Sequence, residues 1–175
     1  MPRGNCGDLW GTMGTHGFAC TSKSGGMQFV GKAEYILDRK RVPIPPVYRA
    51  EFAGGGWVTT GIGPYLVLHT PDSWARAYAV IEAQSIETEE GSEIHRDFFG
   101  NAEMIQPDGQ RRVQLTDDHI AHAGLEREVV VVGVGSRLEV WDRSTYEARD
   151  EQRKAARREA IGRPQPQSEP SPEGE

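Results

Sequence analysis

Val58–Gly63 (VTTGIG) returns 72 positions later as Val130–Gly135 (VVVGVG), and the match extends on both sides. Internal repetition constrains a fold more than any single motif, because each copy must bury its apolar face in a similar way. Downstream, Tyr65, Leu66, Leu68, Asp72, Ser73 and Trp74 correspond to Arg137, Leu138, Val140, Ser144, Thr145 and Tyr146. Upstream, Asp38 corresponds to Asp108, Arg41 to Arg112 and Val42 to Val113. The chain therefore carries one supersecondary unit twice.

Each unit reads as a strand, a tight charged turn, a short strand, one or two helical turns and a two-stranded hairpin. In the second unit Ala102–Gln106 is strand-like, and Pro107, Asp108 and Gly109 supply turn chemistry. Arg112–Leu115 resumes an extended segment. Thr116, with Asp117 and Asp118, caps a short helix that stops near Gly124. Glu128–Val132 and Arg137–Trp141 then pair through Gly133, Val134, Gly135 and Ser136. In the first unit Pro43, Pro45 and Pro46 remove backbone donors and confine their strand to an edge, while Gly54, Gly55 and Gly56 stand where the second unit ends its helix.

Between the units, Trp74, Ala77, Tyr78 and Ile81 fall on one face of a helix over Asp72–Gln84. An acidic turn over residues 85–95 leads into a second helix ending near Phe98 and Phe99. A polar, charge-interleaved helix follows Trp141 and ends at Gly162, and Gln165–Glu175 is disordered by composition. The predicted organisation is a disordered leader (1–28), unit one (32–73), a helical connector (74–101), unit two (102–145), a C-terminal helix (146–162) and a disordered tail (163–175). The fold class is α+β.

No apolar stretch approaches the ~20 residues of a membrane span, and the first residues lack a basic region followed by an apolar core. The expectation is a soluble cytoplasmic protein without a membrane partner. Cys6 and Cys20 are expected to stay reduced; with His16 they match no zinc pattern. His119 and His122, three apart on a short helix, read as surface residues without a third ligand. No metal, cofactor or small-molecule substrate is expected, and no nucleophile–base constellation marks an enzyme. The glycine-rich stretches continue neither as a phosphate loop nor as a dinucleotide fingerprint and read as hairpin turns.

The net charge is −6, with acid concentrated in the middle and second half, so attraction to nucleic acid must come from local clusters that act within about 10 Å. Two exist: Arg39, Lys40, Arg41 and Arg111, Arg112. Each follows an aspartate, Asp38 or Asp108, that can accept turn N–H groups and orient the next arginine. Arg41 and Arg112 are the candidate base-reading residues; Arg39, Lys40 and Arg111 are the candidate phosphate contacts. The plainer reading of Asp38 with Arg41 and Asp108 with Arg112 is a surface ion pair closing each hairpin.

The segments MQFVGKAEYILDRKRVPIPPVYR, FFGNAEMIQPDGQRRVQL and AGLEREVVVVGVGSRLEVW, across residues 27–148, resemble the MraZ family, bacterial regulators built from two SpoVT-AbrB-type units of swapped-hairpin, double-psi character. The family motif is an Asp followed four residues later by Arg, with Gly just before the Arg. Asp108 and Arg112 keep the spacing with Arg111 at the glycine position; after Asp38 the interval shrinks to three. The resemblance implies a transcriptional repressor of the division and cell wall gene cluster. It implies a nucleoid-associated homo-oligomeric ring that binds short direct repeats in double-stranded promoter DNA. A ring would hide sheet edges and the aromatics Trp57, Trp74, Phe98 and Phe99, which otherwise pack within one subunit. The competing class is an oligomeric interaction module that keeps the fold without binding DNA.

Overall fold

The computed structural model describes residues 28–162. The leader and tail calls, with Cys6, His16 and Cys20, lie outside the described residues, apart from Gln28 at the leader's last position. The described chain is α+β: β1 (Lys32–Ile36), β2 (Arg41–Pro43), a 3-10 turn (Pro46–Tyr48), β3 (Gly56–Thr60), β4 (Tyr65–His69), α1 (Pro71–Glu82), α2 (Glu89–Gly100), β5 (Glu103–Ile105), β6 (Arg112–Gln114), α3 (Asp117–Ala123), β7 (Glu128–Val134), β8 (Arg137–Asp142) and α4 (Arg143–Gly162). The order strand, strand, short helix, hairpin occurs twice, and α1 and α2 join the two runs.

The hairpins form because β-branched runs meet a turn that suits them. Val129–Val132 fill β7, and the two-residue turn Gly135–Ser136 is entered through Gly135 at φ 64°, a conformation glycine adopts without steric cost. Strand alternation then sends Val129, Val131, Leu138 and Val140 to one face, beside Val58, Leu66 and Leu68. Val130 and Trp141 go to the other face, against Tyr146.

Six strands form one antiparallel sheet in the order β1-β7-β8-β4-β3-β5. The opening strand of each run pairs with the hairpin of the other: β1 lies on β7, and β5 on β3. The two short strands β2 and β6 form a separate ribbon, in which Val42 faces Val113. Its two valines, both fully buried, cap the core together with Ile44, Tyr48, Phe52 and Leu115. Pro43 is tolerated because β2 has a single strand partner.

Local sequence accounts for the helix ends. Thr70, Thr88 and Thr116 each accept a backbone N–H in the first turn of α1, α2 and α3, and Gly124 closes α3 at φ 58°. α4 begins at Arg143 rather than Tyr146, because the Asp142 carboxylate accepts N–H groups of Ser144 (3.0 Å) and Thr145 (3.4 Å). The three first-run glycines do not act as one helix stop. Gly55 turns the chain at φ 93°, while Gly56 lies inside β3, where a Cβ would meet the His69 carbonyl at 2.4 Å. The aromatics pack within the chain: Trp74 stacks on Trp57 and on Phe98, each at 5.2 Å, with Phe99 at its edge.

Candidate nucleic-acid interface

The two charged turns sit side by side because β2 and β6 are antiparallel neighbours, each entered from its own turn. Asp38 and Arg41 exchange both backbone hydrogen bonds (3.0 and 3.2 Å), so Arg39 and Lys40 are the two turn residues, at φ 51° and 63°. That is the backbone of a primed hairpin turn, which usually takes glycine or asparagine. The missing residue of the first motif thus converts its loop into a tighter turn that points two cations outward.

The second turn is one residue longer. Asp108 donates its N–H to the Arg112 carbonyl, and Arg111 donates to the Asp108 carbonyl, both at 2.8 Å. Asp108 Oδ1 also accepts the N–H groups of Gln110 (2.8 Å) and Arg112 (2.9 Å). The Arg112 backbone N–H holds the Asp108 carboxyl below its ordinary value, aided by the Arg112 guanidinium and the Gln110 N–H and opposed by partial desolvation. Arg111 adopts φ 61° at the position where the resemblance leads one to expect glycine.

The turns are also bonded to each other. Arg112 places Nε and Nη2 on Asp108 Oδ2, at 3.0 and 2.9 Å, and Nη1 on Asp38 Oδ2 at 2.7 Å. Arg41 reaches Asp38 Oδ2 at 3.4 Å and Asp108 Oδ2 at 3.7 Å. Two carboxylates and two guanidiniums therefore form one crossed network, within which formal charge cancels. Backbone bonds strengthen the link: Leu115 donates to the Lys40 carbonyl (2.8 Å) and Ile44 to the Arg111 carbonyl (2.9 Å).

Arg39, Lys40 and Arg111 lie outside that network at the tips, all exposed. Lys40 Nζ lies 2.5 Å from Asp117 Oδ1; Arg39 and Arg111 make no ion pair among the described residues. The structure thus brings all seven candidate residues to one ribbon. It divides the cations, with Arg41 and Arg112 in the network and the other three at the tips. Asp117 and Gln114, whose Nε2 reaches the Arg39 carbonyl at 3.4 Å, were not singled out from sequence. The register Arg41 with Gln114 is what places Gln114 there.

His119 and His122 do different work. The His119 ring contacts the Asn101 carbonyl (3.2 Å) and closes a capping box with Thr116, whereas His122 Nε2 lies 3.1 Å from the carbonyls of both Gly61 and Gly63. Among the described residues no group of three or more His, Cys, Asp or Glu is arranged to hold a metal ion. No described helix is long and apolar enough to cross a membrane.

A family model described as "MraZ protein, putative antitoxin-like" matches residues 98–163. The chain is 36% identical over 124 residues to the "Transcriptional regulator MraZ" of Thermomicrobium roseum, an alignment covering 70% of this chain and 87% of the relative. It is 38% identical over 128 residues to the protein of the same description from Thermobifida fusca, covering 71% and 90%, and 34% identical over 135 residues to that from Corynebacterium diphtheriae, covering 77% and 94%.

Proposed function

The chain belongs to the MraZ family, a family of transcriptional regulators and not of enzymes, and from that premise we propose that it binds double-stranded promoter DNA through the two basic turns of its β2–β6 ribbon. Its targets are short direct repeats ahead of the division and cell wall genes, and its action is repression in the cytoplasm, on the nucleoid. The observation that carries this reading is the pairing of two cationic tips on one ribbon, braced by shared carboxylates.

Arg39, Lys40 and Arg111 contact phosphates, since exposed cations give affinity and register without sequence information. Arg41 and Arg112 face base edges, where a planar guanidinium can match guanine N7 and O6. Arg41, with the longer carboxylate contacts, turns outward more readily than Arg112, whose three guanidinium nitrogens are all engaged.

Three tip cations per chain are too few for firm binding at physiological salt, because each neutralised phosphate contributes a salt slope of about 0.9. A homo-oligomeric ring supplies the remainder, and several chains engaging successive repeats raise avidity by about 10² to 10⁴. Each chain contributes two SpoVT-AbrB-type units, residues 32–73 and 102–145, with 74–101 as connector and 146–162 as C-terminal helix; the recurring element order supports this reading.

The test is retardation of a labelled duplex carrying short direct repeats across a salt series, with sedimentation of the protein alone. Binding should fall steeply with salt. Arg39→Ala/Lys40→Ala/Arg111→Ala should lower affinity and flatten the slope by about 0.9 for each lost contact. A duplex that is never retarded would leave an oligomeric interaction module as the function.

A further inference from the structure

On the face of the sheet opposite the main core lies an apolar groove of about 660 Å³. Val67 is in its floor, Ala77, Val80 and Ile81 of α1 and Ile94 of α2 form one side, and Ile62 stands fully exposed at its rim. Ser136 and Arg137 also line it. Open apolar surface of this kind on a folded chain marks a place where something docks.

We infer that residues 1–27 of the same chain dock in this groove. The first reason is where that segment joins the described chain. Phe29 pairs with Gly135 through two backbone hydrogen bonds (2.6 and 2.9 Å), and Gly135 is followed in the chain by Ser136 and Arg137, which line the groove. The Phe29 ring is buried in the main core, so strand alternation assigns Gln28 to the groove face.

The second reason is composition. Residues 1–27 carry Leu9, Trp10, Met13 and Phe18, whereas residues 163–175 contain no apolar side chain other than proline. A tethered segment also competes at an effective concentration in the millimolar range, so modest contacts suffice.

The chain's two cysteines, Cys6 and Cys20, both lie in this segment and report its position. In the full-length protein, Val80→Cys puts a thiol on the groove side. Val47→Cys puts one on the 3-10 turn, beside Tyr48, whose hydroxyl holds both the N–H and the carbonyl of Val30 at 2.8 Å. Both sites are exposed, but only the first lines the groove. After mild oxidation with oxidised glutathione at low protein concentration, non-reducing peptide mapping should find the intrachain disulfide from Val80→Cys at a yield at least about fivefold above that from Val47→Cys. Equal yields overturn the inference, and so do links formed mainly between two chains, which would assign the groove to a second copy. As an independent check, Trp10→Ser/Phe18→Ser in the full chain should speed amide exchange in α1 and β4 around the groove; unchanged exchange overturns the inference.

Discussion

Arg112 and Asp38 lie 74 positions apart in the chain and meet at 2.7 Å, a shorter contact than either guanidinium makes with the aspartate of its own turn. The two basic turns are therefore one mechanical unit, and a change in one should be felt in the other. An exposed ion pair adds little to stability; what this one does is fix the direction of a guanidinium.

Asp38→Asn tests that coupling with a sign that simple electrostatics would reverse. Removing a negative charge beside DNA should tighten binding if Asp38 is only a neighbouring acid. As a brace, its loss should weaken retardation of the repeat duplex roughly fivefold, and Asp38→Asn/Arg112→Ala should bind no worse than Arg112→Ala alone. Tightened binding by Asp38→Asn would rule the brace out.

Arg111→Gly should separate stability from binding. Arg111 holds φ 61°, which costs a residue with a Cβ roughly 1–2 kcal/mol, while glycine returns some of that gain as entropy of the unfolded chain. Urea denaturation should show the variant more stable by about 0.5–1 kcal/mol. Affinity for the duplex should fall, because one exposed cation is gone.

Much of this architecture is legible in particular residues. The returning VTTGIG and VVVGVG segments announce the two hairpins, and Thr116 and Gly124 mark both ends of α3. The seven candidate site residues carry a repeated charge pattern that needs no structure to find. What stays hidden is long-range. A repeat shows that two segments match, but not that β1 will lie on the other run's hairpin, because strand pairing is chosen by the packing of the whole sheet. The exchange between Asp38 and Arg112 depends on that pairing, as does the turn in which Arg39 and Lys40 accept positive φ. Propensity alone argues against that conformation; the register Val42 with Val113 and the bonds Asp38 makes with Arg41 impose it.

Gly133→Ala should damage the exchange between runs directly. A Cβ there would stand 2.5 Å from the Phe29 carbonyl carbon and the Val30 nitrogen, and neither backbone can move without breaking the Gly133 N–H bond to the Gly31 carbonyl (2.8 Å). Overpacking against rigid backbone costs about 1–3 kcal/mol. Urea denaturation should record that loss, and amide exchange should accelerate first in β1. A loss under about 1 kcal/mol would mean that β1 contributes little to holding the sheet together.

His69 gives the fold a pH limit of its own. Its ring is buried between Thr59 Oγ1 (3.3 Å) and Ser73 Oγ (3.4 Å), edge-on to Trp74 and Phe98. Burial, with a smaller contribution from the Arg137 charge, lowers its pKa from 6.5 to about 4. The unfolded chain therefore binds a proton near pH 6.5 that the folded chain refuses until about pH 4. Stability supplied by the neutral ring is complete above pH 6.5 and declines through that window, by up to about 3 kcal/mol. Asp108, whose pKa is lowered, acts with the same sign but only at lower pH, as its carboxylate is protonated in the unfolded chain. Urea midpoints at pH 7 and pH 4.5 should differ clearly in the wild type. His69→Gln, which keeps a polar partner for Thr59 and Ser73 without a titrating proton, should remove most of that difference, and an undiminished difference would locate the acid sensitivity elsewhere.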